Sequence, residues 1–242
     1  MKVLFLTTII WDNRKNADVP KMFGKDPNYD YLLFTNLKKE DFKGTGWTIK
    51  TIDMDFLSDI KKNIIKSRYF KFMLWEYLQN NNMDYDIVFY CDATRSPKLD
   101  YDWEKLATEI INSESGITQR MHVANLYHEC DRIVKFRKDT SQNAEKMKTW
   151  LKERDVPEKM KCYENTAFGY DPKNENLQKV MKEFWETYKL DECTHRDQPL
   201  WSYTLWKNGI EPIVYDNTPN RKIMNKMFPE GGHPGNNHHR YV

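Results

Sequence analysis

The segment Asp84-Tyr-Asp-Ile-Val-Phe-Tyr-Cys-Asp92-Ala-Thr-Arg-Ser-Pro97 carries the clearest chemistry in the chain. Residues 87–91 read as a buried strand that stops abruptly at an aspartate. In open α/β sheets, a carboxylate at the C-terminal lip of a strand stands where ligands bind. Its oxygens suit a hard cation, Mg²⁺ or Mn²⁺, which in turn would hold a diphosphate. Two residues on, Thr94 occupies the place of a second acid in an Asp-x-Asp pair, and its hydroxyl can reach the cation or its water. Asp92 can equally cap the next turn, as aspartate often does.

Four further groups have suitable residue types. Arg68 and Lys71 are three apart and share a helix face. There they can bind phosphate, the guanidinium as a fork and the ammonium as a point charge, or they can simply be solvated. Thr194-His-Arg-Asp197-Gln198 precedes an aromatic helix. Asp197 there is either the helix N-cap or a carboxylate exposed for work on a hydroxyl or a cationic carbon. Glu164-Asn165-Thr-Ala-Phe-Gly169 puts polar and then small residues into an apolar strand, as a sugar-binding floor or an ordinary strand end would. His233, His238 and His239 lie in the tail, where imidazole can complete a Mn²⁺ shell or belong to a mobile polar terminus.

The elements needed to position these groups can be traced along the chain. Residues 2–10 are nearly all apolar, as in a strand buried on both faces. Residues 30–35 and 47–52 read as strands, and 60–79 as one helix leading into the 87–91 strand. Then follow a helix at 103–112, a strand at 116–123, a helix at 143–153, a strand at 162–170, helices at 176–188 and 198–206, and a last strand at 210–215. This order predicts an α/β fold with a single domain over 1–216. Residues 217–242, rich in Pro, Gly, Asn and His, read as a tail with no regular core element, either disordered or a lid over the site.

Composition narrows the function classes. With 38 Lys and Arg against 36 Asp and Glu, the net charge of +2 gives no argument for nucleic acid. No apolar run approaches a membrane span, and the first ten residues are too short for a signal peptide. The four cysteines are far apart, without a Cys-x-x-Cys pair, so a reducing, cytoplasmic setting is expected.

Taken in order, these segments resemble the GT-A-fold glycosyltransferases. Arg68-Tyr-Phe-Lys71 precedes Tyr85-Asp-Ile-Val-Phe-Tyr-Cys-Asp92, which matches their Tyr-Asp-x-Val-x-Tyr-x-Asp pattern; Asn165-Thr-Ala-Phe-Gly169 and Arg196-Asp-Gln198 follow. The resemblance covers roughly residues 2–215 and looks closest to a group that includes plant mucilage- and turgor-related transferases with bacterial and viral relatives. It implies a Rossmann-like sheet and metal-dependent transfer of a hexose or pentose. The donor is a nucleoside diphosphate sugar, expected to be UDP-linked, and the acceptor a glycan or other glycoconjugate hydroxyl. It implies that Asp92 binds metal, Arg68 lies at the donor diphosphate and Asp197 at the reacting sugar. His233 stands in for a C-terminal metal-binding histidine, although the Lys-Pro-Trp that usually follows is absent and Thr94 replaces the second acid. The nucleotide is expected against Thr7, Thr8 and Trp11 at the end of the first strand, with Lys71, Asn165 and Gln198 also on the donor side. Two alternatives remain: a non-catalytic nucleotide-sugar or glycan-binding domain, and a sugar-phosphate nucleotidyltransferase. The latter usually has a Gly-rich loop after the first strand, where this chain has Ile9-Ile-Trp-Asp-Asn-Arg14.

Overall fold

The computed structural model describes residues 1–20 and 22–230. The elements in chain order are β1 (Val3–Ile9), β2 (Asp30–Thr35), β3 (Thr48–Thr51), α1 (Asn63–Phe72), α2 (Leu74–Asn80), β4 (Ile87–Cys91), α3 (Trp103–Ile111) and β5 (Ile117–Met121). They continue with α4 (Leu126–Lys135), α5 (Ser141–Lys152), β6 (Tyr163–Tyr170), α6 (Glu175–Tyr188), α7 (Asp197–Lys207), β7 (Ile213–Asp216) and α8 (Lys222–Met227). The strands form one seven-stranded sheet in the order β3-β2-β1-β4-β6-β5-β7. β1, β2, β3 and β4 are mutually parallel, as are β5 and β7, while β6 runs antiparallel to both its neighbours. The expected α/β single domain, a mostly parallel mixed sheet flanked by helices, is therefore observed.

The strand order fixes where a ligand can enter. From β1 the chain steps outward through β2 to β3, then returns to lay β4 on the other side of β1. That reversal opens a crevice beyond the carboxyl ends of β1 and β4. Alternation along β1 divides the core. Leu4 and Leu6 face α1, α2, α6 and α7, with Phe70, Phe72, Phe184 and Trp201. Val3 and Phe5 face α3 and α8, with Trp103, Met224 and Met227.

Three differences from the sequence-based expectation have physical causes. The helix expected at 60–79 breaks at Met73, whose backbone leaves helical geometry at φ −109°, ψ 15°. Residues 69–75 are buried without interruption, so the chain packs into the core on both sides of the break. α4 went unread: Asn125 caps it by accepting from the His128 N–H at 2.9 Å, and Leu126, Cys130 and Ile133 line its inner face. The tail also contributes α8, contrary to the expectation that nothing beyond 216 forms a core element. Asp216 Oδ2 accepts the N–H groups of Ile223 and Met224 at 3.0 and 2.9 Å, so a carboxylate sits at the helix start. Met224, Met227 and Phe228 then bury against Trp103 and its neighbours. His233, His238 and His239 lie outside the described residues.

At Gly169 two elements touch more closely than any side chain allows. It pairs with Phe89 across β4 and β6, and a Cβ there would lie 2.5 Å from the Phe89 ring and 3.0 Å from Ile110. Phe89 is held between a stacked Phe5 and a tilted Trp103, with ring centroids 5.5 and 4.9 Å away, and has nowhere to go. Gly169→Ala is expected to lower the unfolding free energy by about 2 kcal/mol in urea denaturation; an unchanged midpoint would mean the ring has room to shift.

Candidate functional site

A pocket of about 180 Å³ occupies the crevice. Thr8, Ile10 and Trp11 line it from the end of β1, and Asp92, Ala93 and Thr94 from the end of β4. Ile64, Ser67 and Arg68 of α1, together with Tyr90, Asp18 and Arg196, complete the wall. Five of the residues expected at a site, Thr8, Trp11, Arg68, Asp92 and Thr94, thus meet in one cavity.

Asp92 is set by the strand that precedes it. Its N–H donates to Thr166 O at 2.8 Å, which extends pairing with β6 past the end of β4. The β5–β6 register jumps between Gln119 and Arg120, whose partners are Phe168 and Glu164, so residues 165–167 are left to β4. Such irregularities are common beside binding sites. Asp92 Oδ1 accepts from the Tyr90 hydroxyl at 2.9 Å and lies 3.6 Å from Lys71 Nζ. The side chain is 40% exposed, and Oδ2 has no hydrogen-bond or ion-pair partner among the described residues. Burial, with the Asp92 charge, keeps the Tyr90 hydroxyl protonated and donating.

Beneath the pocket is a buried ion cluster. Lys71 Nζ and Arg68 Nε each lie 3.0 Å from Asp197 Oδ2, and Lys71 is only 2% exposed. Asp197 is the first residue of α7, not its N-cap: Arg196 holds that position without a side-chain capping bond. Its carboxylate turns inward to the two cations instead. Burial alone would raise the Asp197 carboxyl; Lys71, Arg68 and Arg196 outweigh it and hold the group well below the usual carboxylate range. Arg196 Nη2 donates to Gln198 Oε1 at 3.3 Å, so Gln198 steadies a pocket residue without lining the pocket.

Other expected residues lie elsewhere. Thr7 falls on the opposite face of β1 from Thr8, fully buried, whereas Thr8 Oγ1 donates to Ser67 O of α1 at 3.2 Å. Asn165 accepts from Gln119 Nε2 at 2.8 Å, and Gln119 accepts from Trp201 Nε1 at 3.0 Å, a chain that runs into the core.

The structure also gives a place to Arg95, which the sequence did not single out, and to Glu164 of the polar 164–169 segment, whose partners it did not show. Arg95, three residues after Asp92 and 1% exposed, donates to Asn225 Oδ1 at 3.0 Å and Phe228 O at 2.6 Å and pairs with Glu230 at 3.2 Å. It fastens the 222–230 segment to the Asp92 loop. Glu164 is buried between Arg120 and Arg221, the latter at 2.8 Å, and accepts from Thr166 Oγ1 at 2.9 Å. Burial opposes its ionisation, but Arg221 and Arg120 hold its carboxyl below the ordinary range. The only sequence signals for either are an arginine three residues after Asp92 and an acid inside a strand, and their partners lie far along the chain.

Among the described residues there is no group of three or more His, Cys, Asp or Glu able to hold a metal. No helix there is long and apolar enough to cross a membrane. No protein-family model matches the chain, and no curated protein matches it.

Asp197→Asn leaves two buried cations against a neutral amide and is expected to lower the unfolding free energy at pH 7 by about 3 kcal/mol. The native carboxyl is depressed, so its contribution is complete above the unfolded value near ~3.9 and fades as pH falls toward the native one. The gap between wild type and Asp197→Asn in urea titrations is therefore expected to be constant from pH 7 to 5 and to shrink below about 4. A gap that stays constant to pH 2 would rule out the depressed carboxylate.

Proposed function

We propose that this protein is a GT-A-type glycosyltransferase that moves a sugar from a nucleoside diphosphate sugar, UDP-linked in the first instance, to a hydroxyl acceptor. The observation that carries the reading is a half-exposed Asp92 at the switch point of the sheet, sharing its pocket with Arg68 and Arg196. A diphosphate needs positive charge on its oxygens, and guanidinium forks provide it with fixed geometry. Trp11 and Thr8 at the end of β1 offer an aromatic surface and a hydroxyl to the nucleoside.

The donor set fits a magnesium- or manganese-type ion held by one protein carboxylate. Mg²⁺ is commonly bound by one or two carboxylates, with substrate phosphates and water filling the rest of its shell. Asp92 would supply a free carboxylate oxygen and Thr94 a neighbouring hydroxyl. Such an ion, when bound, would neutralise charge on the departing diphosphate. Asp197 fits the role of a fixed charge: it holds Arg68 and Lys71 in place, and its low basicity suits it poorly to accepting a proton. The alternative of a non-catalytic nucleotide-sugar module draws support from Thr94 in place of a second acid.

Purified protein with Mn²⁺ and a panel of UDP- and GDP-sugars is expected to release nucleoside diphosphate slowly, even without an acceptor. Asp92→Ala is expected to lower that rate about 100-fold, and Arg68→Ala to weaken donor binding as well. Donors that bind without turning over would favour the binding module; a panel in which nothing binds would sink both readings.

A further inference from the structure

Beside the pocket lies a positively charged surface with no part in the donor chemistry described above. The last turn of α4 and the turn that follows bring together Arg132, Lys135, Arg137 and Lys138 around Phe136, a phenylalanine that is 52% exposed. The Phe136 ring centroid lies 5.1 Å from Arg132 Cζ, 6.0 Å from Lys135 Nζ and 5.9 Å from Lys138 Nζ. Cations over a ring face are attracted to it, so these groups are gathered rather than splayed apart.

The acids of the same segment are already engaged. Glu129 is buried against His122 and Arg132, at 3.2 and 3.4 Å, and Asp131 pairs with Lys148. Asp139 Oδ2 accepts from Thr194 Oγ1 at 2.6 Å and from the His195 N–H at 3.1 Å. Lys135, Arg137 and Lys138 form no ion pair with any described residue. Burial pushes the Lys138 ammonium below its ordinary range, and the nearby Arg196 adds to the effect. The Asp139 bonds also fix the location: they tie this turn to Thr194 and His195, immediately before Arg196 in the pocket wall.

Backbone geometry sets where the side chains of the turn stand. α4 ends in a Schellman turn, in which Arg137 N–H donates to Val134 O and Lys138 N–H to Ile133 O, both at 2.9 Å. Arg137 takes the left-handed position of that turn, φ 54°, where glycine is the usual occupant. Asn82, Asp155 and Asp191 hold left-handed positions just past α2, α5 and α6 as well, so the turn sets where Arg137 stands without assigning its side chain a use.

We propose that this surface is the acceptor-side subsite of the transferase and selects an anionic glycan, one whose sugars carry acidic groups. The inference rests on the transferase reading for the word acceptor; the binding itself does not. The cations would meet the acidic groups, and the exposed ring would meet the apolar face of a sugar. A net charge of +2 and the restriction of the patch to one turn beside the pocket favour a glycan over nucleic acid.

The test is calorimetric titration of the whole protein with alginate oligosaccharides, neutral cello-oligosaccharides of equal length and a single-stranded DNA of equal charge. Alginate is expected to bind at least tenfold more tightly than the neutral chain, with an affinity that falls as salt rises. Arg137→Gly with Lys138→Ala is expected to weaken alginate binding about tenfold while the thermal midpoint holds or rises, because glycine suits the left-handed position. Equal affinity for alginate and cello-oligosaccharide, or alginate binding unchanged in the double variant, would overturn the subsite. DNA binding as tight as alginate would overturn the glycan assignment. A separate UDP titration reads the donor pocket: failure there with intact alginate binding counts against the transferase alone.

Discussion

Two cations and a carboxylate buried under the crevice, Arg68, Lys71 and Asp197, tie α1 to the start of α7. Removal of Asp197 would leave two cations without their shared, buried carboxylate, and that is far more costly than losing a surface pair. Lys71 lies closer to Asp197, at 3.0 Å, than to Asp92, at 3.6 Å. The buried carboxylate thereby holds the ammonium, and the exposed one keeps an oxygen for a ligand. The same contact aims Arg68 at the pocket, because its Nε is fixed at Asp197 while its Nη1 donates to Ser67 Oγ at 2.9 Å.

The strand ends beside the crevice also grip the chain beyond β7. Arg95, from the loop after β4, holds Asn225, Phe228 and Glu230, and Glu164 at the start of β6 holds Arg221. Arg221 reaches Glu164 from a left-handed conformation, φ 54°, an uncommon backbone state for a residue with a side chain. Two long-range ion contacts, each with a buried partner, therefore bind the 217–230 stretch to the loop after β4 and to β6. Displacement of one would be felt by the other, because Asp92 and Thr166 share a backbone hydrogen bond at 2.8 Å.

Parts of this were legible because local pattern and tertiary position agreed. β4 is five apolar residues ending in an acid, and its aspartate lies at the crevice. Thr7 and Thr8 were not separable, because a strand buried on both faces has no polar alternation to give its phase; only Leu4 and Leu6 facing α1 put Thr8 on the pocket side. The break at Met73 lies within seven successive buried residues, 69–75, that contain no Gly or Pro to mark it. α4 carried both an Asn cap and a spaced apolar face, so its signal was present and passed over. Arg95 and Glu164 depend on partners about 130 and 60 residues away, which spacing along one chain cannot reveal.

The low basicity of Asp197 bears on how a transfer here would end. A general base works best when its affinity for a proton is near that of its surroundings. Asp197, pinned between cations, is ionised but binds a proton too weakly to draw one from a sugar hydroxyl. Among the described residues, the other acids in the pocket are Asp92, which the proposed reaction assigns to the metal and diphosphate, and Asp18 on the rim. In that reaction the departing diphosphate is itself a proton acceptor, held by Arg68 and Arg196 close to the bond that breaks. An arrangement of fixed positive charge around the leaving group, with its nearest carboxylate locked in ion pairs, favours stabilising the departing charge over removing the acceptor proton early.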